Sequence, residues 1–186
     1  MMRIISGKFK GKKLLPVKNL KIRPTLDRSK EMIFNTLTSI LFKKNLAFEN
    51  LTILDTFCGT GALGIEAISR GAKKAFFIDN SSDALDLVKR NIKFLELDIY
   101  SNLLNCDLPK SDFKDLNANL FFMDPPYDFD NYNEVFSSLA KNNLITQDAL
   151  GVIELSKKKK PFKVNNYSLI KKKIISNSCF LFLEKT

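Results

Sequence analysis

Asp124-Pro125-Pro126-Tyr127 is a string of four residues suited to holding a planar amine. It follows the apolar run Leu120–Met123, which reads as a buried strand, so Asp124 falls at a strand's carboxyl end. Pro125 and Pro126 stiffen the turn and remove two N–H donors. A carboxylate and a proline carbonyl then face outward with no donor between them. Such an acceptor-only cradle is complementary to an NH₂ group. Tyr127 adds a flat face on which a base can stack. Read together, the residues suit the exocyclic amine of a nucleobase taken out of its stack. Read singly, they are also compatible with an ordinary Pro-Pro turn.

A second string lies upstream. Gly59-Thr60-Gly61-Ala62-Leu63-Gly64 fits G-x-G-x-x-G between a strand ending in Asp55 and a helix. Glycines there let a ligand approach the backbone at a helix N-terminus. Asp79 ends the next strand, placed for the hydroxyls of an adenosine ribose. Loop and acid together indicate an adenine-nucleoside cofactor, either a nicotinamide dinucleotide or S-adenosylmethionine. Three features favour the second. Asp55 beside the loop suits an ammonium group and would repel a pyrophosphate. The chain is too short for a separate substrate domain after a full dinucleotide-binding sheet. Asn105-Cys106-Asp107 offers polar groups to an adenine amine, although Asp107 also reads as a turn residue.

The two strings make one chemistry. An aromatic amine is a poor nucleophile because its lone pair is delocalised. Hydrogen bonds from its N–H groups to Asp124 and the Pro125 carbonyl favour a pyramidal nitrogen. Attack on a sulfonium methyl is then an in-line displacement that needs no strong base, and positioning supplies most of the acceleration.

These residues must be held by alternating strands and helices. Leu51–Asp55, Ala75–Asp79, Tyr100–Leu104, Leu120–Met123 and Leu150–Leu155 read as strands. Ala62–Arg70, ended by Gly71, a helix from Ser81 or Ser82 to about Leu97, and Asn131–Asn142 read as helices. Asp27 can cap an earlier helix carrying Ile33, Leu37, Ile40 and Leu41. The pattern predicts an α/β fold with a mostly parallel sheet covered on both faces. Tyr167–Ile175 and Cys179–Leu183 have no helix between them and predict a C-terminal antiparallel pair. Residues 2–15 read as a basic hairpin with Ile4, Ile5, Phe9 and Leu14 apolar and turns at Gly7 and Gly11. Pro16 and Pro24 bound a loop. The expectation is one domain over 1–186, an extension over 1–26 followed by the catalytic core over 27–186.

Composition narrows the classes. The 186 residues carry a net charge of +10 and no histidine. That excludes Ser-His or Cys-His catalysis and any His-ligated metal. Cys58, Cys106 and Cys179 lack the spacing of a disulfide framework or a Cys-based zinc site, so no metal is expected. No run approaches a membrane span and no signal-peptide pattern opens the chain, so a cytoplasmic location and no membrane partner are expected. A monomer is the default. Residues 1–30 carry ten basic side chains against Asp27 alone, while residues 31–156 are net acidic. Composition drift toward lysine would not concentrate charge this way. The asymmetry points to a polyanion, with Arg3, Lys8, Lys10, Lys12 and Lys13 as the expected nucleic-acid contacts. The runs Lys157–Lys160 and Lys171–Lys173 also read as solvated faces.

Asp55–Ala67 resembles motif I of class I S-adenosylmethionine-dependent methyltransferases, and Asp124–Tyr127 resembles their amino-methylating (D/N)PPY motif. Arg3-Ile-Ile-Ser-Gly-Lys-Phe-Lys-Gly-Lys-Lys-Leu, then Arg23-Pro24-Thr25-Leu26-Asp27-Arg28 and Glu31–Asn35, resemble the bacterial small-subunit ribosomal RNA guanine-N2 methyltransferases of the RsmD type. The resemblance runs in order along nearly the whole chain. It implies a Rossmann-like sheet with a final antiparallel strand and an N-terminal hairpin that engages RNA. It also implies methylation of one guanine N2 amine in 16S rRNA, within a partly assembled small subunit. Arg23 and Thr25 match a family segment that helps close the cofactor pocket. The chain departs from the pattern in the run Lys157–Lys160, for which the resemblance supplies no role.

Three rivals differ in what they explain. A DNA adenine-N6 methyltransferase can use the same Asp-Pro-Pro-Tyr loop but usually needs a target-recognition domain, for which no residues remain. A nicotinamide-dependent oxidoreductase explains the glycines and Asp79 but not Asp55 or Asp124–Tyr127. A non-catalytic RNA-binding assembly factor explains the basic ends but predicts a decayed site.

Overall fold

The computed structural model describes residues 2–15, 27–110, 112–126, 128–159 and 165–186. Arg23, Thr25, the Pro16–Pro24 loop and Tyr127 lie outside the described residues.

Helix α1 (Asp27–Lys43) turns Ile33, Phe34, Leu37, Ile40 and Leu41 inward at helical spacing. Asp27 is its first helical residue, where a carboxylate faces the positive end of the helix dipole. Its carboxylate also pairs with Arg3 (3.2 Å). Strand β1 (Thr52–Thr56) leads into helix α2 (Ala62–Ser69), and strand β2 (Lys74–Asp79) into helix α3 (Ser82–Leu95). Ser81 caps α3 by accepting the Ala84 N–H at 3.2 Å. Strands β3 (Ser101–Asn105) and β4 (Ala118–Met123), helix α4 (Tyr132–Lys141) and strands β5 (Ile145–Ser156), β6 (Tyr167–Ile175) and β7 (Ser178–Lys185) complete the order.

The seven strands lie in the order β3-β2-β1-β4-β5-β7-β6. The first five are parallel, and β7 runs antiparallel to both β5 and β6. The expected parallel sheet with a C-terminal antiparallel pair is therefore present. Strand β5 begins earlier than its apolar run implies. Its first turn of sequence, Thr146-Gln147-Asp148, is polar, and a register shift against β4 between Ala118 and Leu120 accommodates it.

Alternation along the strands separates two cores. Ile53, Phe77, Leu120, Phe122 and Val152 face α1, α2 and α3. Leu54, Ile78, Phe121, Met123 and Ile153 face α4. Helix α2 is buried at every position, as its apolar sequence requires. Its outer side is covered by residues 2–15. That arm makes one antiparallel bridge, Arg3 to Lys13, rather than an extended ladder. Ile4 and Leu14 enter the core. Arm backbone N–H groups are met by side chains of the helices. Ile5 and Ser6 donate to the two Glu66 carboxylate oxygens (2.8 and 3.0 Å). Phe9 donates to Ser69 (3.0 Å) and Leu15 to Asn91 (2.8 Å). Among the described residues, no helix is long and apolar enough to cross a membrane.

Candidate active site

The strand order reverses direction between β1 and β4. Ligands of open α/β sheets bind at such a switch point, outside the carboxyl ends of the strands. Here the Thr56 hydroxyl on β1 donates to the Phe122 carbonyl on β4 at 2.7 Å, closing the seam just below the rim. The glycine loop leaves β1 on one side, and Asp124 follows β4 on the other.

The loop turns on residues in the left-handed region. Gly59 has φ 53° and Gly61, which caps α2, has φ 71°. A side chain at Gly61 would also press on Val88 at 3.0 Å. Gly64 serves packing: a Cβ there would lie 2.4 Å from the Phe77 ring. Phe57, at the loop's entry, holds φ 54°, which is unfavourable for an aromatic residue.

Two of the acidic residues brace this loop. Asp79, half-buried, accepts the Gly59 N–H (2.8 Å) on one oxygen and the Ser81 N–H (2.9 Å) on the other. Asp55 accepts the Gly64 N–H at 2.9 Å. Burial pushes the Asp55 carboxyl up to about 8; the Gly64 N–H pulls it down, and the Asp124 and Asp79 carboxylates raise it further. Among the described residues, neither Asp55 nor Asp79 forms an ion pair with a basic side chain. The carboxyl groups of Asp55, Asp79 and Asp124 lie close enough to influence one another, so the mouth of the switch point is lined with acidic residues. That suits a cationic sulfonium ligand with an ammonium group and opposes a pyrophosphate. Burial, then Asp55 and Asp79, also push the Cys58 thiol well above its usual range, which makes it a poor nucleophile.

Asp124 is half-buried and Pro125 buried, at the end of β4. The Phe129 N–H donates to the Pro126 carbonyl at 2.9 Å, turning the chain toward α4. Phe129 stacks edge-on against Phe57 (5.1 Å between centroids) and against Tyr132 (5.2 Å). This aromatic row joins the flank of the glycine loop to the flank of the Asp-Pro-Pro-Tyr segment. Asp107 is exposed just past β3, and the Cys106 N–H before it donates to the Asp79 carbonyl at 3.0 Å.

The predicted site residues thus divide into two groups. Asp55, Gly59, Gly61, Asp79, Asp124 and Pro125 gather at the rim. Arg3, Lys8, Lys10, Lys12 and Lys13 are exposed along the arm. The arm runs beside α2. Its Met2 end meets Thr60 in the glycine loop (3.7 Å), while Lys8 donates its N–H to the Ser69 carbonyl (2.7 Å) at the helix's other end. Sequence reasoning missed two supports. Glu66 holds the arm and pairs with Arg70 (2.9 Å); a lone charge in an apolar helix was its signal. Lys159 reaches the Phe129–Tyr132 segment, and nothing in its run of four lysines sets it apart.

Residues 2–184 match the family described as conserved hypothetical protein 95. The chain is 32% identical over 176 residues to ribosomal RNA small subunit methyltransferase D of Haemophilus influenzae, covering 92% of this chain and 88% of that protein. The solved structure described as "Putative methyltransferase yhhF from Escherichia coli" is similar at a TM-score of 0.82 and 26% identity, over 99% of this chain and 97% of that one. An RNA methyltransferase from Salinibacter ruber, in complex with S-adenosyl-L-homocysteine, shares the fold at a TM-score of 0.65 and 13% identity, over 88% and 94% of the two chains. The chain belongs to the conserved hypothetical protein 95 family, is a homologue of bacterial ribosomal RNA small subunit methyltransferase D, and has the Rossmann-like class I methyltransferase fold.

Proposed function

We propose that this protein transfers a methyl group from S-adenosylmethionine to the N2 amine of one guanine in 16S rRNA, within an assembling small subunit. The observation that carries the reading is the pairing at the switch point. The glycine-loop site with Asp55 on β1 lies beside β4, whose carboxyl end leads into Asp124 and Pro125. The names of the relatives support an rRNA substrate, and the fold supports the donor. Guanine and the assembling particle rest on the resemblance alone.

The donor supplies an electrophilic methyl group on a positively charged sulfur. Gly59 and Gly61, which carry no side chain, would let it approach the loop, and Asp55, Asp79 and Asp107 would hold its polar groups. The resemblance assigns Arg23 and Thr25 to closing the pocket. Asp124 and the Pro125 carbonyl accept the two amine N–H groups and orient the nitrogen lone pair, and the sequence motif assigns stacking on the base to Tyr127. The proton released on transfer passes to Asp124 or to water. Lys8, Lys10, Lys12, Lys13 and Arg3 hold the RNA backbone.

The experiment is a comparison of wild-type protein with Asp124→Ala. Wild type transfers labelled methyl to rRNA in small subunits. Asp124→Ala loses transfer by about 10²–10³-fold or more, while its affinity for S-adenosylhomocysteine changes little. Equal loss of cofactor binding would remove Asp124 from the amine and place it in the cofactor site.

A further inference from the structure

Strand β5 is longer than its neighbour. Ile153 is level with Met123 on β4, so Ser156 stands three residues past the rim, roughly 10 Å along the strand. The chain then turns sharply: Lys159 donates its N–H to the Ser156 carbonyl at 2.9 Å. Lys157 donates its own to the Asn177 carbonyl at 2.8 Å, tying the turn to the β6–β7 connection. Lys157 and Lys158 are exposed, whereas the Lys159 side chain is only 18% exposed and points back over the rim.

There the Lys159 ammonium meets three groups. It donates to the Phe129 carbonyl, lies 2.7 Å from an Asp130 carboxylate oxygen and sits 4.6 Å from the centre of the Tyr132 ring. The Asp130 side chain is largely exposed, so that ion pair alone contributes little. The carbonyl and the ring face carry the contact. The N–H of the same residue, Phe129, donates to the Pro126 carbonyl. Lys159 therefore grips the chain one hydrogen bond away from the Asp-Pro-Pro-Tyr segment.

We propose that Lys159 is a positioning residue for the Asp124–Pro126 turn: it pins the Phe129–Tyr132 segment, and through it the acceptor groups that orient the target amine. This rests on the reading of Asp124 given above. Lys157 and Lys158 are exposed and do not share the role.

The test compares Lys159→Met, Lys159→Arg and Lys158→Met in the full chain. Lys159→Met is expected to lower kcat for methyl transfer by about 10- to 100-fold, the scale of a small misplacement of reacting groups. KM for S-adenosylmethionine and affinity for S-adenosylhomocysteine stay unchanged. Lys159→Arg restores most of kcat, and Lys158→Met leaves it unaltered. Hydrogen exchange at the Phe129 amide quickens in Lys159→Met and in no other variant. Wild-type kcat in Lys159→Met overturns the proposal, even with faster exchange. So does a rise in KM for RNA shared by Lys159→Met and Lys158→Met, which would make the run a phosphate-contact surface. Should the wild-type protein transfer no methyl group, the functional reading fails. Unchanged exchange in a folded Lys159→Met would separately show that the pin itself is absent.

Discussion

Asp55 ties the charge of the pocket to the pH of the solution. Its folded carboxyl, at about 8, binds a proton more tightly than the same group in the unfolded chain. Its contribution to stability is therefore present below the ordinary carboxylate range and is lost as pH rises toward 8. Asp55→Asn keeps an acceptor for Gly64 and removes the titration. Thermal denaturation between pH 5 and pH 9 should fall more steeply for wild type than for Asp55→Asn; parallel curves would contradict the assignment. A cationic ligand reverses the preference, so the affinity for S-adenosylmethionine should rise from pH 6 to pH 8.5 in wild type and stay flatter in Asp55→Asn. At this scale, contiguous strings were readable. Asp124-Pro125 and Gly59–Gly64 stand out because their groups are neighbours in the chain, and both strings fall where expected, after β4 and β1. The duty of Asp55 toward Gly64, and of Lys159 toward Phe129, depends on how distant turns aim side chains, and no local pattern encodes that.

Helix α2 is the element on which both halves of the site depend. Its N-terminus carries the glycine loop, Gly64 lets it lie against β2, and Glu66 and Ser69 hold the arm. Gly64→Ala places a methyl group against the Phe77 ring. Overpacking of this kind costs about 1–3 kcal/mol, and here it would push α2 off the sheet. Gly64→Ala should lower the denaturation midpoint and weaken S-adenosylhomocysteine binding together, as urea melts and calorimetry would show. A loss of binding at unchanged stability would mean that Gly64 faces the ligand instead. The periodicities of the sequence were sufficient for the helices and the parallel strands, since each buries one repeating face. They were insufficient for the start of β5, where polar Thr146–Asp148 fall in the register shift against β4, and for the arm, which is held by side chains from the helices rather than by its own ladder.

At the scale of the whole molecule, the arm and the rim are linked through one helix but carry opposite charge. The acidic mouth suits a cationic donor, and the exposed arm lysines suit a polyanion. Replacing Lys8, Lys10, Lys12 and Lys13 with Ala should weaken rRNA binding and reduce the slope of log K against log salt by up to roughly 3, at about 0.7–0.9 per phosphate released. An unchanged slope would move the RNA surface off the arm. The charge asymmetry was legible because it lies in contiguous sequence. That the arm runs the length of α2, with Met2 against Thr60 and Lys8 beside Ser69, follows from packing and was not legible. The most direct measurement is transfer of labelled methyl from S-adenosylmethionine to small ribosomal subunits from cells lacking this enzyme. Deproteinised rRNA and duplex DNA would run in parallel, with the product nucleoside identified by mass spectrometry. N2-methylguanosine at a single site, formed on subunits, is the predicted result. N6-methyladenine on DNA, or no label on any substrate by a protein that binds S-adenosylhomocysteine, would contradict it.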